Sequence, residues 1–439
     1  MHKLRFVGAL PPLVFILAII EAGPVLAQWS AELEAQWSVT TDSGDFDQQE
    51  LQLDIRFEER VAGGKLGAIA RLRGDLEDAL NPANSAPLTS YADFSRPVSS
   101  GPDGLVDLRE LWWQRNWQHW QLTLGKQQVV WGEADGIKLL DVINPQSFRE
   151  FILDDFEDSR IPLWMANIRY QFGTDLQLQL LLIPDTTVHE LPPEGSPFEF
   201  TAPNLVLDRS APSPLPVVVR EAGAPGDGLR NGDVGLRLSG FAGGWDYSLS
   251  YLNHLVDTPV LRGSVESAQL VITEQYLRSN LWGITASNVL GDVTLRLELA
   301  YETDRELRVR SAVPGVETSD LFRSVVGLDW IGLPNQLWSL QYFQTTVVDH
   351  DRAMFDEQRE DIVTLLWRYS VLNDTLDFEW QHIYSTTDSD SLAQLSIDYN
   401  WSDHLDLFIG ADLFSGDSQG LLGQFDNADR VTMGFRLAL

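Results

Sequence analysis

The sequence predicts an all-β protein, a transmembrane antiparallel β-barrel of about 16–18 strands. It is expected to have periplasmic turns at one end, long extracellular loops at the other, and a short helix in one loop. Three observations carry this expectation. Segments with one apolar and one polar face recur along the chain, each close to the ~9–11 residues that a tilted strand needs to cross a bilayer. Short and long gaps alternate between them, as they do when turns face one compartment and loops the other. Beyond the N-terminus, no apolar run approaches the ~18 residues of a membrane-spanning helix.

The first element is not a strand. His2, Lys3 and Arg5 precede an apolar run from Phe6 to Ile20, and Val25, Leu26 and Ala27 precede Gln28. That order of charge, apolar core and small residues is a secretory signal peptide. Residues 1–27 are therefore expected to be removed, leaving 28–439 as a single outer-membrane β-barrel domain. The chain has no cysteine, so neither a lipid anchor after the leader nor a disulfide is available. With 64 acidic and 31 basic residues it repels nucleic acid. Its 15 tryptophans suit a protein with aromatic girdles at the membrane surface.

Strand pattern begins at once. Trp29, Ala31, Leu33, Ala35, Trp37 and Val39 share a face opposite Ser30, Glu32, Glu34, Gln36 and Ser38. Leu51, Leu53, Ile55 and Phe57 alternate with Gln52, Asp54, Arg56 and Glu58. Residues 105–130 are less regular: Trp112 and Trp113 are adjacent, and alternation puts Lys126 on the outer face. Further on, Val293, Leu295, Leu297, Leu299 and Tyr301 oppose Arg296 and Glu298. Leu376, Phe378, Trp380, His382 and Tyr384 oppose Asp377, Glu379, Gln381 and Ile383. The final segment, "RVTMGFRLAL", alternates to Leu439 and resembles the terminal strand by which barrels are recognised for insertion. Aromatics such as Trp29, Trp245, Tyr301, Trp330, Tyr384 and Trp401 fall near segment ends. Tight turns are expected at Ala62, Gly173, Ala242, Gly332, Leu372 and Ser402, and long gaps at 77–104, 132–161, 185–230, 255–278 and 304–320. A soluble β-sandwich has shorter strands and no loop parity, and a β-helix needs a fixed repeat that the chain lacks.

Polar faces of such a barrel line its interior, and a ring of 16–18 strands is too wide for side chains alone to fill. The stretch "NPQSFREFILDDFEDSRIPLW" breaks the two-residue alternation inside one long gap. Asn144 can cap a helix, Pro145 suits its first position, and Pro162 stops it. A helix from 145 to about 156 would group Phe148, Phe151, Ile152 and Phe156 on one side. The loop is expected to fold into the lumen and narrow it. The candidate constriction residues are Glu150, Asp154, Asp155, Glu157, Asp158 and Arg160, with Arg56, Arg71, Arg73, Arg296 and Glu298 on the wall. The alternatives are an ordinary exterior loop and, for the carboxylates, a calcium site that lacks calcium-loop spacing. Wall charges in general are expected to belong to a solvated, cross-paired wall. No cofactor is expected.

The block "GKQQVVWGEADGIKLLDVINPQSFREFILDDFEDSRIPLWM" resembles the signature of the family named domain of unknown function 1302. The resemblance implies a Gram-negative outer-membrane barrel, similar in type to alginate-export barrels. It also implies an RND-type exporter and a lipoprotein-sorting-like periplasmic protein as partners, in settings linked to hydrophobic compounds. It carries over no catalytic residue.

No enzymatic activity is expected. A nucleophile elbow and a zinc-protease motif are both absent, and only His382 with Ser385 or Asp388 offers a catalytic pairing to examine. The leading expectation is passage or export of small or hydrophobic molecules. The alternatives are an outer-membrane docking partner with no open pore, and surface recognition through the Pro- and Val-rich loop 185–230. The first strand starts directly after the leader, so no N-terminal plug of the iron-complex receptors is expected.

Overall fold

A computed structural model describes residues 28–439, apart from 78, 81–87, 102–103, 207–213, 221–224, 227, 229 and 312. The expected signal peptide lies outside the described residues, as do parts of the loop 185–230. Eighteen antiparallel strands close into a barrel. In chain order they are Gln28–Thr40, Phe46–Val61, Gly64–Asp75, Gly104–Trp117, Trp120–Gln127, Leu163–Phe172, Leu176–Ile183, Asp233–Ala242, Trp245–Leu255, Arg278–Leu290, Val293–Val309, Gly315–Trp330, Gln336–Val347, Arg359–Val371, Leu376–Ser385, Asp390–Ser402, Leu405–Ser415 and Arg430–Ala438. Each pairs with the next, and the last returns to the first, with Glu32 opposite Ala438 and Thr40 opposite Arg430. Closure leaves no unpaired edge, the condition for a sheet in hydrocarbon.

The two faces separate as the alternation requires. Leu249, Ile284, Leu340, Ile409 and Met433 are exposed on the outside, whereas Asp54, Glu298, Thr364 and Asp412 are buried inside. Trp29, Trp330 and Trp401 ring the turn end, and Trp282, Tyr301 and Tyr384 ring the loop end, forming the two girdles. The expected gap at 304–320 is largely strand, since Val293–Val309 and Gly315–Trp330 run on past the barrel wall. The gap at 255–278 carries a hairpin, Val260–Glu266 and Gln269–Gln275, to which Val217–Arg220 adds in parallel.

Bulges account for the irregular region and for several inward charges. Ile69 pairs with Glu110 and Ala70 with Leu108, leaving Arg109 as an extra residue between them. The extra residue resets the alternation, so Arg109 and Glu110 both turn inward and the two tryptophans fall on opposite faces. Gly125 follows with φ +129°, and a Cβ there would lie 2.1 Å from the Leu111 carbonyl oxygen. After that turn Lys126 does not face lipid as expected. It is 2% exposed, donates to the Leu108 carbonyl at 2.9 Å and faces Asp107 at 3.4 Å.

The helix expected from 145 to about 156 does not form; a single helical turn, Phe156–Ser159, stands after it. The backbone finds partners across the loop instead. Ser147 N–H donates to the Ser159 carbonyl (2.7 Å), Phe148 N–H to Glu190 (2.8 Å) and Ile161 N–H to Pro145 (2.8 Å). Phe151 adopts φ +55°, which a helix cannot contain. Its ring instead joins Phe198, Phe414 and Phe425 in a buried aromatic cluster, 4.6 Å from Phe425 by centroids.

A charge at the outward position Ile284, midway along its strand, should cost about 2–4 kcal/mol. Urea unfolding of Ile284→Arg in lipid vesicles should show that loss; unchanged stability would remove hydrocarbon from the outer face.

Candidate functional site

Residues 128–162 lie inside the ring, and the wall holds them at three places. The first is a chain of alternating charge that spans the closing seam, from Asp412 on Leu405–Ser415 and Arg430 on the last strand to Glu50 on the second. Asp412 accepts from Arg430 Nε at 2.9 Å, and Arg430 Nη1 donates to Glu150 at 2.8 Å. Glu150 also accepts from Arg149 (2.9 Å) and Gln48 (3.0 Å), and Arg149 pairs with Glu50 at 2.7 Å. The side chains of Glu150, Arg149 and Arg430 are at most 4% exposed. Burial opposes ionisation of Glu150, yet the Arg430 and Arg149 guanidiniums hold its carboxyl below the usual range.

The second place is formed by the bulged strand, which supplies Arg109, and the two strands before it, which supply Asp54 and Arg71. Arg71 grips Asp54 through two bonds, 2.8 and 2.7 Å, and donates to Asp158 at 2.6 Å. Arg109 Nη2 donates to the carbonyls of Glu157 (2.6 Å), Asp158 (2.9 Å) and Arg160 (3.2 Å). Asp158 is thereby held below the ordinary carboxylate value by Arg71 and Arg109, against its burial. The third place is the opposite wall. Trp131 Nε1 donates to Gln179 at 3.0 Å, Arg296 bonds Asp135 at 2.5 Å and Asp329 at 2.8 Å, and Glu298 accepts from the Glu133 N–H. The loop therefore crosses the lumen from side to side.

Two of the expected site residues stand apart from the others. Arg56 pairs with Glu32 at 3.6 Å on the open wall, and the Glu157 carboxylate is exposed, with only its carbonyl engaged. Arg73 approaches Glu50 at 3.9 Å, and Arg160 bonds Asp141 at 2.7 Å. The carboxylates do not gather as a calcium loop would, and among the described residues no three acidic or histidine side chains come together to hold a metal. His382 and Ser385 cannot pair, because alternation places them on opposite faces of Leu376–Ser385; His382 stacks on Trp380 outside.

Three cavities remain around the loop. One, of about 80 Å³, lies between the loop and the wall around Arg71, Arg73 and Asp107. A second, about 560 Å³, runs toward the turn end past Glu34, Asp155, Arg368, Glu379, Asp398 and Arg436. A third, about 350 Å³, opens toward the loops, between Phe148, Phe156, Val256 and Leu422. Asp154 lines all three. Burial, reinforced by the Glu150 charge, raises its carboxyl to about 7, so it titrates near neutrality, whereas Glu150 and Asp158 are held below the ordinary range. Asp155 is also raised by burial.

Breaking a buried ion pair from one side leaves an uncompensated charge, at about 3–5 kcal/mol. Glu150→Gln removes the carboxylate shared by Arg430 and Arg149, leaving each with one acid where it had two, and should release the loop, seen as new protease cleavage within 146–159 in the folded barrel. A loop as protected as in the unaltered protein would count against the charge chain as its anchor.

Comparison with curated protein sequences finds none that matches. Among solved structures, OccK5 (OpdH) of Pseudomonas aeruginosa shares 12% identity over 94% of this chain and 98% of its own, with a TM-score of 0.51. The outer membrane protein opdK of the same organism shares 11% over 94% and 98%, with a TM-score of 0.52. OccK2 (OpdF) of that organism, solved in complex with glucuronate, shares 10% over 94% and 98%, also with a TM-score of 0.52. At these identities the likeness is one of fold, that of an outer-membrane β-barrel with lipid around it. Over residues 44–438 the sequence matches the family described as Protein of unknown function (DUF1302), and the chain belongs to that family.

Proposed function

We propose that this protein is an outer-membrane channel for small molecules, with the inward loop as its constriction and Asp154 at the narrowest point. The observation that carries the reading is that Asp154 borders the loop-side cavity, the turn-side cavity and the smaller one between the loop and the wall. A solute moving from one end to the other passes this carboxylate. Beyond it, Glu34, Asp155, Glu379 and Asp398 outnumber Arg368 and Arg436 in the larger chamber, so the path favours cations there. The fold shared with OccK2, whose structure holds glucuronate, supports a solute-binding lumen.

The finer reading is passage or export of hydrophobic compounds, with an RND-type exporter and a lipoprotein-sorting-like protein on the periplasmic side. It rests on the family resemblance. We assign no enzymatic role, and read residues 28–439 as one domain behind a cleaved signal peptide. A second reading, a docking partner with no open pore, draws on the buried ion pairs that pin the loop across the lumen.

Conductance in planar bilayers separates the two. Deleting 146–159 should raise single-channel conductance, and an unchanged value would remove the constriction. A pH titration tests Asp154 directly. As pH falls through about 7 the carboxylate takes up its proton, so cation preference should decline. Asp154→Asn should show the low preference throughout, with that step missing; a step that persists in the variant would place the controlling group elsewhere.

A further inference from the structure

The loop-side cavity differs from the other two in its chemistry. Phe148, Phe151, Ile152, Phe156, Leu421 and Leu422 give it a continuous apolar wall. Its volume of about 350 Å³ falls in the ~300–1,000 Å³ range of small-molecule sites. The opposite side is polar and brings Lys138, Arg305 and Arg323 together with Asp141, Asp257 and Glu302.

The balance runs residue by residue. Glu302 serves two cations at once, accepting from Arg305 at 2.9 Å and Arg323 at 2.5 Å, with His254 at 3.3 Å. A bulge makes this possible: Glu302 pairs with Leu321 but Arg305 with Ser319, so one extra residue returns Arg305 to the face of Glu302. Asp141 is neutralised by Arg160 at 2.7 Å. Burial raises the Asp257 carboxyl well above the ordinary carboxylate value. Asp154 carries a partial charge near neutrality.

Lys138 has no carboxylate partner among the described residues. Its ammonium donates to Ser159 Oγ at 2.9 Å, to Gln146 and, at 3.4 Å, to the Phe156 carbonyl, and lies 4.5 Å over the Phe156 ring. Burial lowers it only to about 8, so it is charged at neutral pH. His189, beside Phe148, adds a neutral donor. Gln146 N–H donates to His189 Nδ1 at 2.9 Å, which puts the ring proton on Nε2.

We propose that this cavity binds a small amphipathic anion, its apolar body against the phenylalanine wall and its acidic head on Lys138, with Arg305, Arg323 and His189 Nε2 completing the donor set. A neutral ligand of the same shape leaves Lys138 without its charge-assisted bond, and a cationic one adds repulsion. The site sits on the loop side of Asp154, so a solute captured here is held before the constriction. The assignment rests on the channel reading for the ligand's access to the lumen, and makes the anion an occupant of the loop-side cavity rather than a solute carried through the acid-lined chamber.

The test uses the purified full barrel in detergent and isothermal calorimetry with three probes of one shape: 4-phenylbutyrate, 4-phenylbutanol and 4-phenylbutylamine. The acid should bind about tenfold more tightly than the alcohol, and the amine weakest. Lys138→Met should bring the acid to the level of the alcohol without moving the alcohol, and Lys138→Arg should retain the preference. Equal binding of the three probes, binding of none, or an acid preference that survives Lys138→Met would overturn the site. Conductance is measured separately, so a pore that conducts without binding the acid defeats only this inference. Binding in a barrel that never conducts defeats the channel reading instead.

Discussion

Hydrocarbon offers no hydrogen-bond partner to a peptide group, so a sheet inside a membrane has to close on itself. Here closure takes eighteen strands, the last returning to pair with the first. That ring is wider than its inward side chains can fill. The same requirement that removes the edges thus creates an interior in need of occupation. The chain meets it with residues 128–162, which come off one wall, cross to the opposite wall and return.

Holding a loop inside a water-accessible lumen takes interactions that water does not replace. The wall supplies them as buried charges in alternating order, Asp412–Arg430–Glu150–Arg149–Glu50, and as Arg71 and Arg109 on Asp158 and the neighbouring carbonyls. Each charge is stranded if its partner leaves, so the anchors act together. Phe151 adds an apolar anchor in the cluster with Phe198, Phe414 and Phe425, which ties the loop to two other loops. Against this background Asp154 stands out by lacking a strong cationic partner. It is left to titrate where the three cavities meet.

The loop also divides the interior into unlike chambers. Its aromatic side looks toward the loop end, where Phe148 and Phe156 face Leu421 and Leu422. Its acidic side looks toward the turn end, where Asp155 and Asp158 line one cavity with Arg368 and Arg436. A molecule crossing would leave an apolar, cation-lined space for a wet, acid-lined one, with one carboxylate between.

The sequence by itself determined the ring. A period of two has only two faces, so apolar-out and polar-in follow from alternation, and the parity of short and long gaps assigns the ends. It also marked residues 144–164 as foreign to the wall, and the carboxylates there as worth attention. What it misjudged was local form, because a spacing of three and four suits a helix only if the backbone has no better partner. Ser159 and Glu190 supplied such partners from across the loop. Only the tertiary structure decided the rest. Arg430 lies about 280 residues from Glu150, and bulges at Arg109 and before Arg305 turn side chains by one position, the first showing in the sequence only as irregular alternation. Which charges meet depends on strand register summed around a closed ring, a property of the whole barrel rather than of any segment.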